Sequence, residues 1–294
     1  MEEQTYRTHE GGKLCRPFQS RAEVFCRGYS TLLQRAITDF GADVPFADVR
    51  DKIREHYGIH IANGAAATIT EGHARKMTDT DMTPQVRPTK EALTLIAQID
   101  GSMIPMVQTA KSDDSAPQDR RKTRQLFWKE GKLSMIRRAD EVTPLFAVTL
   151  GDAAAAGADL LRLALAAGFN KRSHVHGLGD GATWIEDQME RQFGSQGKYH
   201  VDFFHVCDYL AAAKVCAAND PCAANDPDWM ERQKDYLKTD RLPEVLAALV
   251  PFQEPDSVSS EEAPIRGCHR YLTNRPGQFD YQAAIQAGLL SWAF

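Results

Sequence analysis

The stretch LTLIAQIDG (residues 93–101) decides the fold class of this chain. Upstream of residue 88 apolar residues recur at three and four, whereas from Leu93 onward they form short continuous runs. An apolar run of this length, closed by Asp100-Gly101, is typical of a buried strand that ends in a turn. We therefore expect one strand over residues 93–99 and a second strand over residues 103–107.

Strands and helices alternate after this point. Apolar patterning predicts further strands over residues 132–137, 142–150, 174–178 and 200–206. It predicts helices over residues 153–168 and 184–193, and a polar loop over residues 111–119. Strands that come first and then alternate with helices are typical of an α/β layer built on a mixed sheet.

The residues before the sheet predict a helical region. Periodic apolar positions indicate helices over residues 21–40, 46–57 and 65–77, with Gly41 as a C-cap of the first. The glycine turn at Gly58-Ile59 gives the last two helices the outline of a helix-turn-helix DNA reader. Many helical hairpins with this outline bind nothing, so both interpretations stay open.

Composition narrows the class of protein. The 294 residues are 43% hydrophobic and 26% charged, which is typical of a globular chain and excludes a collagen-like or wholly disordered one. The longest mostly apolar stretch, residues 153–169, contains Asp159 and Arg162, so we expect no membrane partner. No apolar leader is visible, and six cysteines without a CxxC pair predict reduced thiols and a cytoplasmic location.

Positive charge is concentrated in residues 120–138, RRKTRQLFWKEGKLSMIRR, although the whole chain has a net charge of -5. Basic side chains neutralise phosphates, and the aromatic rings of Phe127 and Trp128 could stack on bases. We therefore predict DNA contacts from the basic residues Arg120, Arg121, Lys122, Arg124, Lys129, Lys132, Arg137 and Arg138. A solvated hairpin with two core aromatics is the alternative.

Two aspartates follow apolar strands, Asp100 in Ile99-Asp100-Gly101 and Asp180 in Gly179-Asp180-Gly181. If the two strands are neighbours, their spacing of about 4.8 Å brings both carboxylates within reach of one divalent ion or an ion pair. The alternatives are an ordinary Asp-Gly turn and a helix cap by Asp180. His205, predicted to close the last strand, approaches the same edge as a site neighbour or simply packs there.

Other common active sites are excluded by their missing signatures. The sequence contains no GxSxG, GxGxxG, Walker or HExxH motif. This absence argues against a common serine hydrolase, a Rossmann dinucleotide-binding protein, a P-loop NTPase and a zincin.

Several segments of the chain, in this order and spacing, resemble the bacterial insertion-sequence transposases of the IS Kra-four group. The most specific are HGLGDGATWI (residues 176–185), ERQF (190–193) and VDFFHVCDYL (201–210). The resemblance extends over residues 45–289 and includes FWKE (127–130), VTPLF (142–146), CHRYL (268–272), Asp280-Tyr281 and Gly288-Leu289.

This resemblance implies a ribonuclease-H-like fold in three parts. Residues 1–88 would form a helix-turn-helix region, residues 89–210 the catalytic core, and residues 211–294 a helical insertion with the C-terminal end. In the family two aspartates and a glutamate hold two Mg²⁺ ions, with Mn²⁺ as an alternative, and the resemblance assigns Asp100 and Asp180 as the first two carboxylates. The implied partner is double-stranded DNA, as transposon ends and target, and a homo-oligomer is left open.

The sequence departs from the family after Gly288-Leu289. There the family continues with Pro-Ile-Gly-Ser-Gly and the catalytic glutamate, whereas this chain reads Leu290-Ser-Trp-Ala-Phe294. We therefore expect a C-terminally truncated transposase without its third carboxylate, inactive as it stands and with an apolar sheet face uncovered. The alternatives are a non-catalytic DNA-binding remnant, which acts on element ends or pairs with an intact transposase, and a relic without function.

Overall fold

The computed structural model describes residues 28–79, 89–109, 124–217 and 226–289, together with residues 6–7, 14–15, 17 and 21. The chain divides into two compact units, Met1–Thr83 and Pro84–Phe294. The predicted loop over residues 111–119 and the basic residues Arg120, Arg121 and Lys122 lie outside the described residues.

The first unit is mainly helical. It contains a short antiparallel pair, β1 (Tyr6–Arg7) and β2 (Leu14–Cys15), followed by α1 (Thr31–Asp43), α2 (Phe46–Tyr57) and α3 (Ala65–Asp79). The buried residues that hold the three helices together are Ile37, Val49, Ile53, Ile61, Ala65, Ala66 and Ile69. The positions of α2 and α3 agree with the predicted helices.

Helix α1 differs from its prediction at both ends. It begins at Thr31 because the Ser30 hydroxyl accepts a hydrogen bond of 3.3 Å from the Leu33 amide, which is an N-cap. It continues through Gly41 to Asp43, so the predicted C-cap at Gly41 is wrong. A Cβ at position 41 would lie 2.3 Å from the Thr70 hydroxyl, so this glycine allows α1 and α3 to approach closely.

The second unit is built on a five-stranded sheet. Its strands are β3 (Thr94–Thr109), β4 (Arg124–Arg138), β5 (Leu145–Thr149), β6 (His174–Gly179) and β7 (Gly197–Val201), in the spatial order β5-β4-β3-β6-β7. Strands β3, β6 and β7 run parallel to one another, whereas β4 is antiparallel to both β3 and β5. The predicted α/β class with a mixed sheet is confirmed.

Helices cover parts of both faces of this sheet. They are α4 (Ala153–Ala166), α5 (Thr183–Phe193), α6 (Phe203–Ala217), α7 (Trp229–Lys238), α8 (Leu242–Leu249), α9 (Pro264–Thr273) and α10 (Tyr281–Gln286), with short 3₁₀ turns at Gly194–Gln196 and Val250–Phe252. Leu95 packs in the core with α4 and α5, and its neighbour Ile96 packs in the core with α6 to α10. Successive side chains of a strand point to opposite faces, so β3 contributes to both cores.

Two strand boundaries were predicted wrongly. Strand β3 passes through Asp100-Gly101 without a turn, because β4 pairs with it there and places Leu133 opposite Asp100. Strand β7 ends at Val201, because the Asp202 carboxylate accepts a hydrogen bond of 2.7 Å from the Phe204 amide and so caps α6. His205 therefore lies in the first turn of α6 and does not close a strand.

Two further boundaries also differ. Strand β4 starts at Arg124, upstream of the predicted start at residue 132, and β5 is shorter than predicted. Within the described ranges, the structure contains no helix of the length and apolar character that crossing a membrane requires.

Candidate active site

A cleft of about 390 Å³ opens at the edge of the sheet where β3 and β6 stop pairing. Its lining combines acidic side chains with strand ends and the first turns of α6: Gln98, Ile99, Asp100, Leu178, Gly179, Asp180, Asp202, Phe204, His205 and Asp208. The three residues expected at one sheet edge, Asp100, Asp180 and His205, thus line a single cleft. Ligands of open α/β sheets commonly bind at this carboxyl edge of parallel strands.

Strand register brings Asp100 and Asp180 to the same edge of the sheet. The last residue pair between β3 and β6 joins Gln98 to Leu178, and each aspartate follows its member of that pair by two residues. Residues two apart share a face of the sheet, and neighbouring strands are about 4.8 Å apart. Both aspartates are exposed to solvent. The condition that the sequence left open, that the two strands be neighbours, is met.

Each of these carboxylates accepts one backbone hydrogen bond. Oδ1 of Asp100 accepts from the Gly101 amide at 2.8 Å, and Oδ1 of Asp180 accepts from the Ala182 amide at 2.8 Å. The second bond closes a turn just before α5, whose N-cap is Ala182. Asp180 is therefore a turn residue that precedes the helix and not its N-cap, and the bond orients its carboxylate.

The turn that carries Asp180 is held from two sides. The Tyr271 hydroxyl donates a hydrogen bond of 2.6 Å to the Asp180 carbonyl, and Arg275 Nε donates one of 2.7 Å to the Gly181 carbonyl. From the sheet side, the Gly181 amide donates to the Tyr199 hydroxyl at 2.9 Å. Burial raises the pKa of Tyr271 above its usual range, so its hydroxyl keeps the proton that it donates.

These positioning contacts could not be predicted from the sequence. Tyr271 lies in the CHRYL segment of the family resemblance, but no local pattern joins it or Arg275 to a turn about ninety residues upstream. The guanidinium of Arg275 also stacks on the Tyr271 ring, 3.8 Å from its centroid, and donates to the Tyr271 carbonyl at 2.9 Å. The two side chains act as one support for the Asp180 turn.

We expect Gly181→Ala to destabilise the fold by about 1–3 kcal/mol and to displace the Asp180 carboxylate. Gly181 has a φ of +82°, and an added Cβ would lie 2.5 Å from Arg275 Nε and 2.7 Å from the Tyr271 hydroxyl. Urea denaturation measures the loss. Gly267→Ala is the control, because that helical glycine has nothing within 4 Å of an added Cβ. Equal effects of the two substitutions would contradict the prediction.

The cleft offers hard oxygen donors, the ligands that Mg²⁺ and Mn²⁺ prefer. Asp202 and Asp208, which no sequence pattern singled out, also line the cleft, and its described lining residues include no lysine or arginine. In the described part of the chain no three His, Cys, Asp or Glu side chains are arranged as a ready-made metal site. Asp100 and Asp180 are oxygen donors of the kind that would hold Mg²⁺.

The predicted DNA-binding residues divide into two groups by their contacts. Lys132 is buried, bonds to Glu130 at 2.5 Å and lies 5.5 Å from the centre of the Trp184 ring. Arg137 donates to three backbone carbonyls, and Arg138 pairs with two acidic neighbours. These three side chains make internal contacts, whereas the exposed members of the described group are Arg124 and Lys129.

An apolar surface adjoins Asp100 on the same face of the sheet. Leu133 lies opposite Asp100, Val148 lies opposite Leu133, and Phe146 follows on β5. Their side chains are 43%, 66% and 59% exposed, respectively. Among the residues that the structure describes, no helix buries these three side chains. We call this surface the open sheet face.

Comparison of the chain with models of known protein families gives no match, and comparison with curated protein sequences gives none either.

Proposed function

We propose that this chain is a DDE-type transposase of a bacterial insertion sequence, with a ribonuclease-H-like core and Asp100 and Asp180 as metal-binding carboxylates. The observation that carries the proposal is that Asp100 on β3 and Asp180, directly after the end of the neighbouring parallel strand β6, line one cleft. The family resemblance supplies the reaction: cleavage of double-stranded DNA at transposon ends and joining of the 3′ end to a target.

In this proposal the side chains of the protein position the groups that react. When bound, Mg²⁺ supplies charge neutralisation at the phosphate and a more acidic attacking oxygen. Asp100 and Asp180 would hold it, and Tyr271 and Arg275 fix the turn that carries Asp180. The described lining residues include no lysine or arginine that could neutralise a DNA phosphate, so DNA would bind productively in the cleft only together with the cation.

As part of this proposal, we expect low catalytic activity from the 294-residue chain. The family holds its metal pair with a third carboxylate from a glutamate, and no glutamate is among the described residues that line the cleft. Two aspartates without this third ligand would hold the metal pair less completely, and we expect cleavage to be slower by orders of magnitude.

Divalent-ion binding tests the site. We expect the chain to bind Mn²⁺, and Asp100→Asn or Asp180→Asn to weaken that binding roughly tenfold or more, because each removes a charged ligand. Electron paramagnetic resonance of free Mn²⁺ measures the affinity. Asp187→Asn, an exposed aspartate on α5, serves as the control.

The same variants test the reaction in a plasmid-nicking assay with Mn²⁺. Unchanged Mn²⁺ affinity in both variants would contradict the proposed metal site. Rapid nicking that Asp100→Asn abolishes would support the site but overturn the expected low activity.

A DNA-binding remnant that works without catalysis is the second candidate. The favouring observation is that Arg124 and Lys129 are exposed on β4 beside the exposed rings of Phe127 and Trp128. Such a remnant would occupy element ends or pair with an intact transposase.

We expect salt-dependent DNA binding that the double substitution Arg124→Gln with Lys129→Gln weakens. Each lost phosphate contact lowers the slope of log affinity against log salt by about 1. Fluorescence anisotropy at several salt concentrations measures the slope. Arg191→Gln, an exposed arginine on α5, is the control, and binding that Asp180→Asn leaves unchanged would favour this candidate. Absence of any salt-dependent binding would exclude it.

A further inference from the structure

A second pocket, of about 220 Å³, opens at the edge of the sheet where β6 and β7 begin. Its lining includes His174 at the start of β6, Gly197 at the start of β7, and Ala284 on α10. Two histidines, His176 on β6 and His200 on β7, also line it. The described linings of this pocket and of the cleft share no residue, so the pocket is a separate feature of the second unit.

The imidazole rings of these two histidines are buried without full hydrogen bonding. His176 and His200 are 4% and 2% exposed. Within the described part of the chain, Nε2 of His176 and both ring nitrogens of His200 have no hydrogen-bond partner, although the Asp280 backbone approaches the His200 ring. A buried polar group without a partner costs about 1–3 kcal/mol. Several such nitrogens around one pocket therefore indicate that a bound group pairs with them.

The separation of the two rings suits a shared metal ion. Their centroids are 4.6 Å apart, and the ring planes are tilted by 35°. Two imidazoles that bind one Zn²⁺ at about 2.0–2.1 Å have centroids about 4.5–5.2 Å apart, for bond angles between about 90° and 109°. One ion can therefore contact a nitrogen of each ring without a large movement of either strand.

Both rings are in the protonation state that binds a metal. Burial, the largest cause for each ring, lowers the pKa of His176 to about 3 and the pKa of His200 to about 4. At pH 7 each imidazole is therefore neutral, and neutral imidazole is a common zinc ligand. Lys198 at the pocket repels a cation, but the Asp280 carboxylate pairs with Lys198 at 3.3 Å and offsets its charge.

We propose that His176 and His200 together bind one divalent ion of the zinc class. Imidazole nitrogen favours Zn²⁺ over Mg²⁺, which prefers oxygen ligands. No third His, Cys, Asp or Glu of the described residues completes a ligand set here, so we expect weaker binding than at a closed structural zinc site. The ion would join β6 to β7 beside α10. The inference is independent of the proposed function.

Isothermal titration calorimetry with Zn²⁺ tests this site on the full chain carrying Asp100→Asn and Asp180→Asn, which remove the two carboxylates of the cleft. We expect binding that His176→Gln or His200→Gln weakens tenfold or more, because even loss of an outer-shell partner of a zinc ligand costs about 10–100-fold. His60→Gln is the matched control, since His60 is exposed in the first unit. Circular dichroism verifies that each variant is folded.

X-ray absorption spectroscopy of the same chain loaded with Zn²⁺ identifies the ligands without a histidine substitution. We expect two imidazole nitrogens at about 2.0–2.1 Å. Absence of Zn²⁺ binding would overturn the proposal and leave ordered water as the partner of the ring nitrogens. Binding that either histidine substitution leaves unchanged, or a first shell of sulfur, would also overturn it. Mn²⁺ binding at Asp100 and Asp180 is measured separately, so either proposal can fail without the other.

Discussion

Tyr281→Ala is expected to lower the free energy of unfolding by about 3–5 kcal/mol, the usual cost of removing a large aromatic ring from a core. Tyr281 is fully buried at the start of α10. Its ring packs against Phe203 and Phe279, with centroid distances of 5.6 and 6.4 Å, and its hydroxyl donates to the Val201 carbonyl at 2.8 Å. The substitution thus removes the residue that joins α10 to the end of β7.

Two further variants serve as comparisons: one removes only the Tyr281 hydroxyl, and the other removes an aromatic ring at an exposed position. Tyr281→Phe keeps the ring and leaves the Val201 carbonyl without this donor, so we expect a smaller loss of about 1–3 kcal/mol. Phe146→Ala removes an aromatic ring that is 59% exposed and should cost much less than Tyr281→Ala. Urea denaturation monitored by circular dichroism measures all three, and similar losses for Tyr281→Ala and Phe146→Ala would contradict the described core.

Acid is expected to destabilise the second unit through two buried histidines. His176 on β6 and His200 on β7 are 4% and 2% exposed, and their ring centroids are 4.6 Å apart. Burial is the largest cause that lowers the pKa of His176 from 6.5 to about 3 and the pKa of His200 to about 4. Mutual repulsion between the two rings and nearby Lys198 lower the pKa of His176 further.

The direction of the pH effect follows from these shifts. Well above pH 6.5 both rings are neutral in the folded and unfolded chain, so they impose no pH-dependent penalty. As the pH falls below 6.5, the unfolded chain takes up protons that the folded chain excludes. We expect a loss of about 3 kcal/mol or more between pH 7 and pH 4.5, since each unit of pKa difference corresponds to about 1.4 kcal/mol.

Urea denaturation at pH 7 and at pH 4.5 measures this loss. The double substitution His176→Gln with His200→Gln should reduce the difference between the two pH values, whatever its effect on stability at pH 7. His174→Gln is the control, because His174 is exposed at the start of the same strand. If the double variant and the control keep the same pH dependence as the original chain, the two buried histidines are not its source.

Much of the fold was predictable because its cause is local. The alternation of Leu95 and Ile96 between two cores appears in the sequence as a continuous apolar run, and the mixed sheet follows from the order of the elements. The turn predicted at Asp100-Gly101 failed because the antiparallel partner β4, more than thirty residues away, extends the strand through it. Dipeptide preferences carry no information about such a distant partner.

The candidate site, like the fold, was predictable in part. The positions of Asp100 and Asp180 after apolar runs predicted a shared edge on the condition that their strands were neighbours, and β3 and β6 are neighbours. Asp202 and Asp208 were missed because β7 was predicted too long, which concealed the start of α6. The support from Tyr271 and Arg275 depends on tertiary contacts alone and leaves no periodic signal in the sequence.

The hydrogen bonds from Tyr271 and Arg275 to the Asp180 turn also make the cleft sensitive to events far from it. A bound protein or a rise in temperature that loosens α9 would let this turn fray while the strands beneath it remain ordered. Such an event at a remote surface would reversibly change the arrangement of the cleft, with neither carboxylate altered.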